Sequence, residues 1–228
     1  VIGNTKYNDD KFSRLKTPQT DVEEFCALLS DPNYGQFDHV DKLVNESAAN
    51  IRLHIARLFA AKKPNDLIIL YFSGHGIRDA RGDLYLAVSD TEFELLSATA
   101  IPAEFISNEM DSSRSKRQVL ILDCCHSGAF KRGMKATTGS TAGSATAFEG
   151  NGYGRVVLTA SDSTQYAWEG DKVTGDAKNS LFTHFLIQGI KTGEADFDND
   201  GLINIDELYQ YAHDQVVQIY PDQTPGKW

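Results

Sequence analysis

Two unbroken apolar runs stand out along the chain, and each ends abruptly in polar residues. Asp66-Leu-Ile-Ile-Leu-Tyr-Phe72 leads straight into Ser73-Gly74-His75-Gly76, and Gln118-Val-Leu-Ile-Leu122 into Asp123-Cys124-Cys125-His126-Ser127-Gly128. Short continuous apolar runs bounded by turn residues predict strands buried on both faces. Around them the apolar period changes from continuous to helical. Val22, Phe25, Cys26 and Leu29 recur after Pro18-Gln-Thr-Asp21 and predict a helix with Cys26 in its core face; Asp31-Pro32-Asn33 and Gly35 end it. Ile51, Ile55, Leu58 and Phe59 mark one face of a helix over Asn50–Ala61, closed by Pro64-Asn65.

The remaining elements follow the same logic. Val1–Asn4 reads as the end of a first strand, Thr5–Thr17 as a polar loop and His39–Val44 as a second strand. Asp79–Asp83 is a turn-rich loop, Leu84–Val88 a small strand or hairpin, and Glu92–Met110 partly helical. From Gly128 to Gly154 the pattern dissolves into Ala, Thr, Gly and Ser, so residues 131–153 are expected to form a flexible linker. Arg155–Ala160 then predicts a strand, Ser180–Ile190 a helix and Glu207–Val217 another. Strands alternating with helices imply an α/β domain with a mostly parallel sheet covered by helices on both faces. No internal repeat is visible.

Composition narrows the class. The 228 residues, 41% hydrophobic and 10% aromatic, suffice for one large domain or two small ones with a sizeable core, and the pattern favours a single domain. A net charge of −10 argues against nucleic-acid binding, which needs a basic face; it suits basic partners or substrates, although on its own it reads first as a mildly acidic surface. Three cysteines, two of them adjacent, make no disulfide framework and point to a reducing, cytoplasmic setting. No apolar run is long enough for a membrane span. The start inside a strand and the unmarked end suggest a domain excised from a longer protein.

The chemistry gathers at the two strand ends. Parallel neighbouring strands would bring His75 beside a cysteine above the carboxyl edge of the sheet, where open α/β sheets hold their reactive groups. An imidazole near a thiol can manage its proton. A lone cysteine at a strand end is ordinarily a small core residue, but two strand-end motifs of matching types reverse that reading. Cys124 leaves the strand on the side opposite Cys125 and reads as packing. His39, His54, His184 and His213 have no motif around them and read as surface or core residues.

Ser73-Gly-His-Gly76 and Asp123-Cys-Cys-His-Ser-Gly128 closely resemble the paired motifs of the caspase-like cysteine peptidases, and within them the metacaspases and prokaryotic orthocaspases. The likeness spans most of the chain, and the spacing of about 50 residues from His75 to Cys125 is the one known for caspases. The resemblance implies the caspase-like fold, Cys125 as nucleophile, His75 as general base and an oxyanion hole from the backbone amides of Gly76 and Cys125. It also implies a large-subunit-like part over residues 1–130, a small-subunit-like part over 154–228, and a monomer.

By the same resemblance Asp21, Ser73 and Asp123 line the S1 pocket. Caspases proper carry glutamine two residues before the nucleophile and select aspartate; here that position is Asp123. Two carboxylates in a narrow pocket would hold a guanidinium through charge-assisted hydrogen bonds, so peptide and protein substrates with Arg, and less well Lys, at P1 are expected. Asp21 has a competing reading as a helix cap. Lys131, Arg132 and Lys135 in the linker are candidates for self-cleavage. The alternatives are a caspase-like protease with another P1 preference, or a catalytically silent scaffold or switch module, for which keeping both Cys125 and His75 would be unnecessary.

Asp196-Phe-Asp198-Asn-Asp200-Gly201 through Glu207 fits the EF-hand pattern at positions 1, 3, 5, 6 and 12. Asp196, Asp198, Asp200 and Glu207 are thus candidate calcium ligands, against a cation-free acidic turn that caps the next helix. Metacaspases often need calcium through acidic residues elsewhere. Asp90 resembles one such position, but Arg132 stands where another aspartate is expected. Activity without a required cofactor follows, with calcium in the 196–207 loop as a structural ion.

Overall fold

The computed structural model describes residues 1–124, 154–160 and 180–228. Cys125, the linker with Lys131, Arg132 and Lys135, and His126 lie outside the described residues. Among the described residues the strands are β1 (Ile2–Gly3), β2 (Leu43–Val44), β3 (Leu67–Ser73), β4 (Gly76–Arg78), β5 (Leu84–Leu86), β6 (Ile101–Pro102), β7 (Arg117–Asp123), β8 (Gly154–Thr159) and β9 (Gly226–Lys227). The helices are α1 (Pro18–Ser30), α2 (Ala48–Phe59), α3 (Leu96–Thr99), α4 (Ala103–Ser112), α5 (Leu181–Thr192) and α6 (Ile205–Ile219).

A central sheet runs β2-β1-β3-β7-β8-β9, parallel except where β9 pairs antiparallel with β8. The two apolar runs singled out in the sequence are its middle strands, paired in register from Leu67 opposite Arg117 to Ser73 opposite Asp123. Helices cover both faces. Ile51, Ile55 and Phe59 of α2 and Ile106 and Met110 of α4 pack on Leu70, Phe72, Leu120, Leu122 and Cys124. Val22, Phe25 and Leu28 of α1, with α5 and α6, pack on Tyr71, Ile121 and Leu158. This is the mostly parallel α/β sheet covered on both faces that the pattern predicted, and Cys124 is the packing residue it suggested.

Some elements depart from the sequence reading. The strand expected over His39–Val44 keeps only Leu43–Val44; His39 and Asp41 pair with each other, and His54 with Asp41, so side-chain pairing replaces a ladder there. Leu84–Val88 shortens to Leu84–Leu86, the middle strand of a separate antiparallel β4-β5-β6 sheet that Gly76 joins through β4. Cys26 is half-buried rather than core, because the buried stripe of α1 runs through Val22, Phe25, Leu28 and Leu29 and leaves it on the flank.

Close backbone packing sets the position of α1. A Cβ on Gly3 would come within 2.6 Å of the Pro18 carbonyl oxygen and of Val22 Cγ2, so only glycine lets β1 lie directly against the first turn of this helix. A cavity of about 1170 Å³ opens near Leu67, Arg117 and Gly154 at the amino ends of the strands. The candidate site lies at the opposite edge.

Candidate active site

At the carboxyl edge of the sheet the last rung of β3 and β7 places Ser73 opposite Asp123, with Gly3 on the other side of Ser73. Asp21, in the first turn of α1, is completely buried, and Asp123 is nearly so. Ser73 Oγ donates to Asp21 Oδ2 at 3.0 Å, and the Ser180 backbone N–H donates to Asp21 Oδ1 at 2.8 Å. Asp123 Oδ2 accepts from the hydroxyls of Ser180 and Thr183 at the start of α5. Two acidic groups from separate elements thus converge beside Ser73, each tied to donors, which is what buried carboxylates require.

Electrostatics follows from this burial. Desolvation pushes the Asp123 carboxyl above its ordinary range, opposed by the donors from Ser180 and Thr183. The Tyr71 phenol is raised well above its usual value by burial and then by the charges of Asp21 and Asp123. The helix-cap reading of Asp21 does not hold: the cap residue of α1 is Thr17, without a side-chain capping bond, and Asp21 turns inward to Ser73 and Ser180.

His75 follows Ser73 by two residues, at the mouth of this edge. Its Nε2 lies 2.9 Å from the Ser13 carbonyl oxygen, which can only accept, so Nε2 carries the proton and Nδ1 is the basic nitrogen. The imidazole is cradled by Tyr7 and Phe12, with ring centroids 5.0 and 5.9 Å away. Tyr7 OH donates to the Asn4 carbonyl at 3.0 Å and accepts from the His75 backbone N–H at 3.2 Å. Burial lowers the His75 pKa below its ordinary value, with the Ser13 carbonyl acting against it. Gly76 stands opposite Leu86, and Ala87 N–H donates to the His75 carbonyl at 2.9 Å. That pattern makes Gly76 a non-bonded ladder position whose N–H points away from β5.

Ser180, Thr183, Tyr71, Tyr7, Phe12 and Ser13 were not singled out in the sequence. Ser180 alone left a signal, as a capping serine before an apolar helix; its hydroxyl does accept from Thr183 N–H, at 3.4 Å. The other histidines take ordinary roles: His213 pairs with Asp214, and His184 lies edge-on to Phe185.

The acidic loop is separate from this edge. Asp196, Asp198 and Glu207 bring carboxylate oxygens within 4.8 Å of one another. Asp200 does not join them; its Oδ1 accepts from Leu202 N–H at 2.7 Å. Asn199 and Gly201 take the left-handed backbone that turns the loop. Glu207 also completes a capping box with Asn204 at the start of α6. The donor set of clustered hard oxygens fits a calcium ion. Asp90, which resembled a calcium position, accepts from Ala48 N–H at 2.8 Å and so satisfies the amino end of α2.

Among the described residues no helix is long and apolar enough to cross a membrane. No curated protein matches the sequence. The fold is similar to that of protein GSU0716 from Geobacter sulfurreducens, with a TM-score of 0.65 and 17% identity over 100% of this chain and 90% of that one. It is equally similar to caspase-1 from Spodoptera frugiperda, with a TM-score of 0.66 and 10% identity over 100% of this chain and 83% of that one. Residues 1–225 match the caspase domain, and with the motif-bearing strands, the two-sided sheet and the edge site in place, the chain belongs to the caspase domain family.

Proposed function

We propose that the protein is a cysteine endopeptidase that cleaves after Arg, and less well after Lys. The observation that carries this reading is the convergence of Asp21 and Asp123, both buried, on Ser73, which stands two residues before His75 in the chain. Two neighbouring buried carboxylates repel one another even when each has its donors, and a guanidinium can meet both at once.

In this reading Cys125 attacks the scissile carbonyl as a thiolate, and its proton passes to Nδ1 of His75. The tetrahedral oxyanion meets the backbone amides of Gly76 and Cys125. His75 returns the proton to the leaving amine, and water then hydrolyses the thioester with the imidazole as base. The Ser13 carbonyl supports these roles by fixing the tautomer. Lys131, Arg132 and Lys135 are basic residues just downstream of Cys125, so the same preference would allow self-cleavage within 131–153. Calcium, where bound, would be held by Asp196, Asp198 and Glu207 and would brace the α5–α6 connection.

Matched fluorogenic peptides ending in Arg, Lys or Asp, with and without chelator, test the reading alongside Cys125→Ala. Arg turnover that is absent from the variant is the expected result. Asp turnover would overturn the pocket assignment and keep the mechanism. An active protein that runs as one band on a denaturing gel, indistinguishable from Cys125→Ala, would rule out self-processing.

A further inference from the structure

Helix α5 opens on Ser180 and carries Thr183 one turn later, and both hydroxyls meet one oxygen of a carboxylate on another element. Thr183 Oγ1 lies 2.5 Å from Asp123 Oδ2, and Ser180 Oγ donates to the same atom. On its other side Thr183 Oγ1 is 2.6 Å from Tyr71 OH. An ionised carboxylate only accepts, so the single hydroxyl proton of Thr183 goes to Asp123, and Tyr71 must donate to Thr183. The result is a directed chain from β3 through α5 to β7. Ser180 reaches the second acid as well, through its backbone N–H on Asp21.

Helix capping explains Ser180 but not Thr183. A threonine within a helix ordinarily satisfies its hydroxyl on a carbonyl one turn back. Here the hydroxyl is committed to a partner 60 residues away in sequence, inside a site where Thr183 is fully buried. We propose that Thr183, backed by Tyr71, is a specificity-determining positioning residue that holds the Asp123 carboxylate in one orientation for the planar guanidinium of a P1 arginine. The proposal rests on reading Asp21, Ser73 and Asp123 as the pocket for the basic residue. A guanidinium needs its acceptors at a set angle, whereas an ammonium is a point charge that tolerates rotation. A loosened Asp123 therefore costs arginine more than lysine.

Thr183→Val removes the hydroxyl and keeps the shape; Thr183→Ser keeps the hydroxyl. The measurements are kcat and KM for Arg and Lys peptides, and the affinity for butylguanidine by calorimetry, which needs no turnover. With Thr183→Val, KM for the Arg peptide is expected to rise about tenfold, the loss of one hydrogen bond to a charged group. Butylguanidine weakens in parallel, kcat changes by no more than about twofold, and the preference for Arg over Lys narrows. Thr183→Ser restores the parent values, and Tyr71→Phe shifts them in the same direction by less. Unchanged butylguanidine affinity and Arg preference in Thr183→Val would overturn the proposal and leave the pocket standing. So would a Thr183→Ser protein that behaves like the valine variant. A parent protein that binds no butylguanidine and cuts no Arg peptide would overturn the pocket itself, and this proposal with it.

Discussion

Ser73 and Asp123 are register partners on the last rung of β3 and β7, yet their side chains are tied to different helices. Ser73 reaches Asp21 of α1 and Asp123 reaches the first turn of α5. The rung is thus the meeting point of two buried acids, and it makes the site a place of conflict between stability and binding.

Asp123 should reveal that conflict directly. Its carboxyl is raised by burial, so the folded protein binds a proton that the unfolded chain has already released as pH rises above the ordinary carboxylate value. Stability from this group is present at low pH and lost as pH rises through the raised pKa. Asp123→Asn is expected to melt higher than the parent at neutral pH, with the gap closing under acid, while Arg cleavage falls by at least about a hundredfold. A variant that melts lower at every pH would contradict this account.

His75 carries the opposite sign. Burial holds it below its ordinary value of 6.5, so between the folded and unfolded pKa the unfolded chain binds more protons. Its contribution to stability is present above 6.5 and is lost as pH falls through the folded pKa. The same shift keeps the base neutral, so the acid limb of kcat/KM should lie below 6.5. Opening the cradle with Phe12→Ala should move that limb up toward the ordinary value; a limb that stays put would show that the aromatic wall does not set it.

Gly3 links fold to site. An added methyl would strike the Pro18 carbonyl oxygen and Val22, each at 2.6 Å, and neither the helix backbone nor a β-branched side chain yields cheaply. Gly3→Ala is expected to cost about 1–3 kcal/mol in a denaturant melt. By displacing the first turn of α1 it should also raise KM for Arg peptides through Asp21. Normal stability together with normal KM would show that α1 shifts without consequence.

The acidic loop separates structure from catalysis. Added calcium should raise the melting temperature, and Asp198→Ala should abolish that increment. Chelator should leave Arg turnover unchanged, because the loop is remote from the carboxyl edge of the sheet. Turnover that depends on calcium in the parent and not in Asp198→Ala would reverse this assignment. Glu207→Ala should cost about 1 kcal/mol even without calcium, since Glu207 closes the capping box.

The legible and illegible parts of the chain divide by range. The apolar runs at 67–72 and 118–122 and the helical stripe of Val22, Phe25 and Leu29 were visible because their period is local and the core rewards it. The motif residues were visible because strand-end chemistry sits beside that signal. The strand over His39–Val44 was overread, since its polar residues found side-chain partners instead of a ladder.

Taken alone, the sequence determined the alternation of strands and helices, the two motif-bearing strand ends and the resemblance to caspase-like peptidases. Only the tertiary structure decided that Asp21 turns inward to Ser73, that the Ser13 carbonyl sets the His75 tautomer, and that Thr183 and Ser180 converge on Asp123. These contacts join residues 52 to 62 positions apart. No local period encodes such a meeting; it arises when the sheet register and the packing of α1 and α5 bring buried polar groups within reach of one another, and burial then obliges them to pair.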